Sequence, residues 1–156
     1  MTPRGAVVRA VAVAIGVLAA DQATKAIVRS SIGRAERVHV LPGLDLVNTR
    51  NTGVAFGFFS DGGAIVAVVA ALALGALLVF FATHLARPLV WLPTGLLVGG
   101  AAGNLIDRVR EGAVTDFVDL PLWPAFNVAD AAITIGVLAL LYVLEGPPSH
   151  GPARRD

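Results

Sequence analysis

Four long apolar stretches constrain the fold of this chain more than any other feature. They cover residues 7–28, 64–82, 89–106 and 126–144. Each has roughly 18–22 residues, and at about 1.5 Å per residue a helix of that length crosses a hydrocarbon core of about 30 Å. Four such helices in 156 residues would leave too little polar chain to cover them in water. The pattern predicts an all-α membrane protein with four transmembrane helices, forming a single integral membrane domain over residues 1–156.

The composition narrows the class of function. Charged residues make up 15% of the chain, against roughly 25% in soluble domains. The net charge of +1 includes no basic patch, so we expect no nucleic-acid partner. Because cysteine is absent, disulfides, thiolate metal ligands and a cysteine nucleophile are excluded. The three histidines are too scattered for a metal site, and we expect no metal and no cofactor: His39, His84 and His150.

The connections between the apolar stretches differ in length and character. Residues 29–63 are rich in β-branched and turn-forming residues, which predicts a small β-rich cradle at the membrane surface. Residues 107–125 form a second, strongly polar loop, and residues 83–88 are a short link. With four spans, the two long loops emerge on the same side of the membrane. The proline-rich tail, residues 146–156, is predicted to be disordered.

Two alternatives concern the membrane topology. The first apolar stretch could be a cleaved signal peptide, because Arg4 and Arg9 precede or begin it. The return of apolar residues after Lys25 favours a retained span instead. Lysine and arginine residues are divided almost evenly between the two sides, so the positive-inside rule does not fix the orientation.

Two aspartates are the central candidates for catalysis. Asp130 lies about one turn inside the fourth stretch, and Asp116 lies in the preceding loop. Two adjacent carboxylates do not both ionise readily, so one can deprotonate a water molecule while the other polarises a peptide carbonyl. The alternative is structural: Asn127 and Asp130 have the spacing of a helix-capping pair, and Asp116 could be a solvated loop residue.

A second polar group ends the third apolar stretch. Asn104, Asp107 and Arg108 share one helical face. Pairing of Asp107 with Arg108 or another charge is the structural interpretation, and Arg108 could equally hold a substrate carbonyl or a lipid phosphate. Upstream, three glycines repeat every four residues and favour close helix packing: Gly95, Gly99 and Gly103.

Two shorter strings contain further candidates. In residues 51–56, Asn51 could orient a substrate backbone, or Asn51 and Gly53 could simply form a turn. Asp21 and Lys25 are an i, i+4 pair of opposite charge. We expect that pair to stabilise the outer end of the first span.

Together these strings resemble the lipoprotein signal peptidase (signal peptidase II) family. The resemblance rests on five segments in the family's order: residues 21–25, 51–56, 103–109, 114–117 and 124–130. It implies a bacterial inner-membrane aspartic endopeptidase that needs no metal. It also implies termini in the cytoplasm and an active site toward the extracytoplasmic face, where a small cradle covers the dyad.

The resemblance also assigns roles to residues. It implies that Asp116 and Asp130 are the catalytic dyad. The implied supporting or substrate-binding residues are Asn51, Gly53, Asn104, Arg108 and Asn127. The implied substrate is a prolipoprotein whose cysteine carries diacylglycerol, cut on the N-terminal side of that cysteine. We expect membrane lipid as a further partner and a monomeric protein.

Three other classes of function stay open on the sequence alone. A small proton-coupled transporter could use Asp21, Lys25 and Asp130 as relay groups, although the sequence shows no internal repeat. A serine/lysine peptidase would have to use Lys25 with Ser30 or Ser31. A non-enzymatic membrane scaffold would need only the glycine repeat.

Overall fold

The computed structural model describes residues 2–34, 36–53, 62–85 and 87–145. In these residues it has four helices: α1 (Pro3–Ser31), α2 (Gly62–Thr83), α3 (Trp91–Glu111) and α4 (Val128–Glu145). It also has four strands: β1 (Arg37–Leu41), β2 (Leu44–Asn51), β3 (Val114–Leu120) and β4 (Trp123–Phe126). The predicted disordered tail and residues 54–56 of the predicted motif lie outside the described residues.

The four helices follow the four apolar stretches, with different ends. Helix α3 continues to Glu111, five residues beyond the predicted boundary, because its polar last turns remain helical until Gly112 adopts a φ of +71°. Helix α4 begins at Val128 instead of Phe126, because Phe126 is the last residue of β4. At the start of α1, the Thr2 hydroxyl accepts a hydrogen bond from the Gly5 N–H.

The strands form one antiparallel sheet in the order β1-β2-β3-β4. Its first half comes from the predicted β-rich loop. Its second half, β3 and β4, comes from the connection for which only a strongly polar loop was predicted. Strand β3 pairs along β2, with Thr49 opposite Asp116. A contact between segments so far apart in sequence leaves little trace in the local pattern of either one.

Helix α3 lies at the centre and packs against α1, α2 and α4. A Cβ atom added at Gly95 or Gly99 would lie 2.7 Å from a backbone oxygen of α1, and one added at Gly100 would lie 2.6 Å from Ala129 O in α4. The backbones therefore approach closely on both sides of α3, as the glycine repeat predicted. This close approach brings the polar ends of the three helices together.

The distribution of polarity is that of a protein in lipid. Large apolar side chains face outward along the helices, among them Val8, Ile15, Leu72 and Leu138. Polar side chains are buried instead, among them Asp21, Lys25, Asp107 and Asp116. Within the described ranges, two helices are long and apolar enough to cross a membrane, Pro3–Ser31 and Val128–Glu145, and Val68–Thr83 is a shorter apolar segment. The structure is thus mostly helical, with a small antiparallel sheet.

Candidate active site

The structure brings the two candidate aspartates to the same residue, Asn127. Asp116 is the third residue of β3 and is 2% exposed, and Asp130 lies in the first turn of α4. The Asn127 side-chain amide donates to Asp116 Oδ1 at 2.7 Å. The Asn127 backbone N–H donates to Asp130 Oδ2 at 3.2 Å. One buried asparagine thus connects both carboxyl groups.

The same asparagine caps helix α4. Asn127 Oδ1 accepts a hydrogen bond from the Asp130 N–H at 3.0 Å, so the two residues cap the helix reciprocally. The capping alternative is therefore realised, and it coexists with the contact to Asp116 because Asn127 uses its oxygen for the cap and its NH₂ group for the carboxylate. The alternative of Asp116 as a solvated loop residue is wrong, since it is a buried strand residue.

Asn51 contacts Asp116 from the end of β2. Its side-chain amide donates to Asp116 Oδ2 at 2.9 Å, and its oxygen accepts from the Gly53 N–H at 2.8 Å. Gly53 has a φ of +77°, a conformation that glycine adopts without strain. The predicted turn is thus present, and it holds the Asn51 amide with its NH₂ group toward Asp116.

Asn104 contacts Asp130 from the inner face of α3. Its NH₂ group donates to Asp130 Oδ1 at 2.8 Å. Its oxygen accepts from Lys25 Nζ at 2.9 Å and from the Asn127 amide at 3.2 Å. Each carboxyl group therefore receives two N–H donors, one on each oxygen. Such donors fix the orientation of a carboxylate and favour its ionised form.

Several opposing effects act on Asp116. Burial raises the pKa of its carboxyl group above the ordinary value, and the hydrogen bond from Asn51 opposes that rise. The charge of Asp130 raises the pKa further, whereas the Asn127 amide and the Lys25 charge lower it. Because the pKa is raised overall, this carboxyl group keeps its proton to a higher pH than an exposed aspartate. The arrangement suits a pair that shares a single proton.

A buried charged cluster lies beneath the two carboxyl groups. Lys25 Nζ lies 2.8 Å from Asp21 and 3.0 Å from Asp107, and all three side chains are at most 2% exposed. Asp21 also accepts from the Ala129 N–H at 3.0 Å, which ties α1 to the start of α4. Of the two predicted arrangements, pairing of Asp107 with Arg108 or with another charge, the structure shows the second, and the other charge is Lys25. Adjacent helical residues point in different directions, and Asp107 turns toward α1 instead.

Arg108 lies at the polar end of an apolar cavity. The cavity, of about 500 Å³, lies between α2, α3 and α4 and is lined mainly by apolar side chains, with Asn104, Arg108 and Asp130 at one end. Arg108 Nη1 donates to Asn104 O at 3.3 Å. Among the described atoms its Nε is buried without a hydrogen-bond partner.

A second apolar groove reaches Asp130 from the other side of α4. It has a volume of about 350 Å³ and is lined by Trp123 and Phe126 of β4 and by Thr134 and Ile135 of α4. Asp130 therefore borders two apolar spaces that flank one helix. No cluster of three or more histidine, aspartate or glutamate side chains suited to a metal occurs among the described residues.

The predicted site residues thus occupy two layers. One layer is the carboxyl pair, Asp116 and Asp130, with four predicted residues around it: Asn51, Asn104, Arg108 and Asn127. Gly53 contributes through the turn, and Asp21 and Lys25 lie beneath. Sequence reasoning missed Gln22, whose amide donates to Asp107 at 3.0 Å, and Thr115, whose N–H donates to the same aspartate at 3.3 Å. Both residues lie inside segments already singled out, Gln22 in 21–25 and Thr115 in 114–117.

These features define a helical membrane protein in which a buried carboxyl group, Asp116, and a half-buried one, Asp130, lie at the end of apolar cavities. The family model for signal peptidase (SPase) II matches residues 13–145. The chain belongs to the signal peptidase II family, as its sequence motifs indicated, and it is a membrane-embedded bacterial protease.

Individual relatives and solved structures agree with the family assignment. The chain is 40% identical over 143 residues to the lipoprotein signal peptidase of Nitratidesulfovibrio vulgaris, covering 85% of this chain and 87% of the relative. It is 40% identical to the lipoprotein signal peptidase of Nitrobacter hamburgensis, and this match covers 97% of this chain and 100% of the relative. A bacterial membrane enzyme solved by the in meso method at 1.9 Å resolution has a TM-score of 0.81 at 33% identity, covering 86% of this chain and 91% of that one.

Proposed function

We propose that Asp116 and Asp130 form the catalytic dyad with which this signal peptidase removes signal peptides from diacylglyceryl-modified prolipoproteins. The observation that carries the proposal is the shared contact of both carboxyl groups with Asn127, at 2.7 Å and 3.2 Å. The four N–H donors on the pair hold it rigidly, as a general acid–base site requires. Membership of the signal peptidase II family supplies the reaction, which is hydrolysis of a peptide bond in a lipoprotein precursor.

The pair would work with one proton between its two carboxyl groups. The ionised carboxylate takes a proton from water as the water oxygen bonds to the scissile carbonyl carbon. The protonated carboxyl group donates a hydrogen bond to the carbonyl oxygen and stabilises the charge that develops there. The tetrahedral intermediate then collapses, the C–N bond breaks, and the leaving amine accepts a proton from the pair. The proton belongs to the pair, and either aspartate can begin as the base.

The two apolar spaces beside Asp130 match a substrate with two apolar parts. A lipid-modified precursor brings a hydrophobic signal-peptide segment and a diacylglycerol group on opposite sides of the scissile bond. The cavity between α2, α3 and α4 would hold one of these parts, and the groove of Trp123 and Ile135 the other. Arg108 would bind a substrate carbonyl in the cavity, since its side chain lines that cavity beside Asn104 and Asp130.

The sheet supports a four-span topology as part of this proposal. It combines strands from the 29–63 connection with strands from the α3–α4 connection, so both connections lie on one side. That arrangement is consistent with α2 and α3 both crossing the membrane between them. Trp123 lines one groove with Ile135 of α4, which sets the β3–β4 turn beside the membrane helix. We propose cytoplasmic termini, an extracytoplasmic sheet and a monomer within one integral membrane domain.

Two substitutions test the dyad. Asp116→Asn and Asp130→Asn should each lower the rate of cleavage of a diacylated precursor peptide by about 10²–10⁴-fold, because each removes one member of the acid–base pair. Asp119→Asn is the matched control, since Asp119 lies in the same strand but pairs with Arg37 at 2.6 Å, away from the site. It should cleave at the wild-type rate.

The substrate and the reaction class are tested with the same preparation. The unlipidated twin of the peptide should be cleaved much more slowly, because it leaves one apolar space beside Asp130 empty. Cleavage retained by either asparagine variant, with an unchanged melting temperature in detergent, would exclude the dyad. A proton-coupled transporter would instead give pH-gradient-dependent flux in liposomes and no cleavage.

A further inference from the structure

Lys25 has a role in the structure that an ion pair alone does not explain. Its ammonium group is fully buried and has three acceptors: Asp21 at 2.8 Å, Asp107 at 3.0 Å and Asn104 at 2.9 Å. A lysine has three N–H donors and no acceptor, so all three donors are used. Two of these acceptors are carboxylates. The third is the neutral amide that holds Asp130.

The contact with Lys25 decides which way the Asn104 amide points. A side-chain amide can present its oxygen or its NH₂ group to a neighbour. Lys25 only donates, so it requires the oxygen, and the Asn127 amide donates to the same oxygen at 3.2 Å. The NH₂ group of Asn104 must then face Asp130, where it donates at 2.8 Å. A flipped amide would place an oxygen against the carboxylate and leave Asp130 Oδ1 without this donor.

The two carboxylates of the cluster depend less on Lys25 than Asn104 does. Asp21 also accepts from the Ala129 N–H at 3.0 Å and from Gln22 at 3.2 Å. Asp107 also accepts from Gln22 at 3.0 Å. For the Asn104 oxygen, the Asn127 amide is the remaining donor among the described residues. The most specific consequence of removing Lys25 therefore falls on the Asn104 amide.

We propose that Lys25 is a positioning residue for the cleavage reaction: it fixes the orientation of the Asn104 amide, which in turn holds the Asp130 carboxylate in place for catalysis. The inference rests on the proposed dyad. It extends the sequence interpretation of Asp21 and Lys25 as a pair that only stabilises the end of a helix. Lys25 touches neither the water nor the substrate in this scheme, and it acts through Asn104.

The test uses a variant that keeps the net charge of the wild-type cluster. Two aspartates and one lysine give the wild-type cluster a net charge of minus one, and Lys25→Met combined with Asp107→Asn leaves the same net charge on Asp21. Asp107→Asn alone, whose cluster is neutral, is the reference for the asparagine substitution, and the wild type is the reference of equal charge. Relative to Asp107→Asn, the double variant should lower kcat for a diacylated peptide by about 10- to 100-fold, the effect of one charge-assisted hydrogen bond. KM should stay within about twofold of the value for Asp107→Asn, since the apolar spaces that bind substrate are unaltered.

A double-mutant cycle separates positioning from general support of the fold. In an Asn104→Ala background there is no amide to orient, so Lys25→Met with Asp107→Asn should lower kcat by less than about twofold against Asp107→Asn in that background. Equal losses of kcat with Asn104 and with Ala at position 104 would overturn the proposal. So would a double variant, Lys25→Met with Asp107→Asn, that retains Asn104 and has the kcat of Asp107→Asn alone.

A second variant serves if the methionine variant does not fold. Lys25→Gln with Asp107→Asn keeps a polar group whose amide is one bond too short to replace the ammonium, and the same loss of kcat is expected. A kcat equal to that of the Asp107→Asn reference would overturn the proposal here too. Failure of this inference is distinct from failure of the dyad. Cleavage by Asp130→Asn would exclude the dyad, whereas an unchanged kcat in the Lys25 variants would exclude only the positioning role of Lys25.

Discussion

Replacing Gly99 by alanine should separate two helices and weaken both folding and catalysis. A Cβ atom at Gly99 would lie 2.7 Å from Ala14 O and 2.8 Å from Val17 Cβ, whereas ordinary contact begins at 3.4 Å. Helices α1 and α3 would have to move apart by about 0.7 Å at this point, the difference between 2.7 Å and 3.4 Å. Overpacking of this kind costs about 1–3 kcal/mol.

Gly75→Ala is the matched control, because Gly75 also lies in a helix and has no heavy atom within 4 Å of its added Cβ. Alanine favours a helix over glycine by about 1 kcal/mol, so this control should be slightly more stable than the wild type. Gly99→Ala gains the same helix propensity, so the two variants should differ in unfolding free energy by the cost of overpacking alone, about 1–3 kcal/mol. At roughly 2–4 °C per kcal/mol for a chain of this size, their melting temperatures in one detergent should differ by several degrees.

Catalysis offers a second measurement on the same pair of variants. Lys25 is in α1 and Asn104 is in α3, and their 2.9 Å contact spans the interface that Gly99 allows to close. Separation of the helices should lengthen that contact, so Gly99→Ala should also lower kcat on a diacylated peptide. A Gly99→Ala protein as stable and as active as Gly75→Ala would refute the close packing of α1 against α3.

Two further outcomes follow from the site. Because the Asn51 amide favours the ionised form of Asp116, Asn51→Leu should raise the pKa of Asp116 further. The loss of activity at high pH, where the pair gives up its shared proton, should then occur at a higher pH in the kcat profile of Asn51→Leu than in that of the wild type. Arg108→Lys replaces the guanidinium group that lines the cavity and should lower kcat/KM by about 10- to 100-fold with little change in melting temperature. An unshifted profile in the first case, or wild-type kcat/KM in the second, would contradict the respective role.

The helices could be predicted from the sequence because lipid imposes a local requirement. A span must satisfy its backbone hydrogen bonds within itself and present apolar side chains for about 20 residues, so its signal is continuous in the chain. The predicted stretches accordingly follow the four helices of the structure. Their boundaries were less well predicted: α3 continues through polar residues to Glu111, since helical hydrogen bonding continues after the apolar pattern ends.

Strands β3 and β4, the second half of the sheet, were not predicted from the sequence. Strand β3 is held by pairing with β2, with Arg50 opposite Thr115, and by β4 on its other edge. Its two aspartates disfavour a strand, whereas Thr115, Phe117 and its two valines favour one, so the local composition is mixed. Only the partner strand makes Asp116 a buried strand residue.

The sequence determined which polar residues exist and, through the family motifs, that they belong together in a signal peptidase II. The tertiary structure decided which atoms meet. Asp107 contacts Lys25 at 3.0 Å and not its neighbour Arg108, and the Asn104 amide is oriented by contacts from α1 on one side and Asn127 on the other. Hydrogen bonds and buried charges depend on distances of a few tenths of an ångström between separate elements, and those distances are set by backbone packing at small residues.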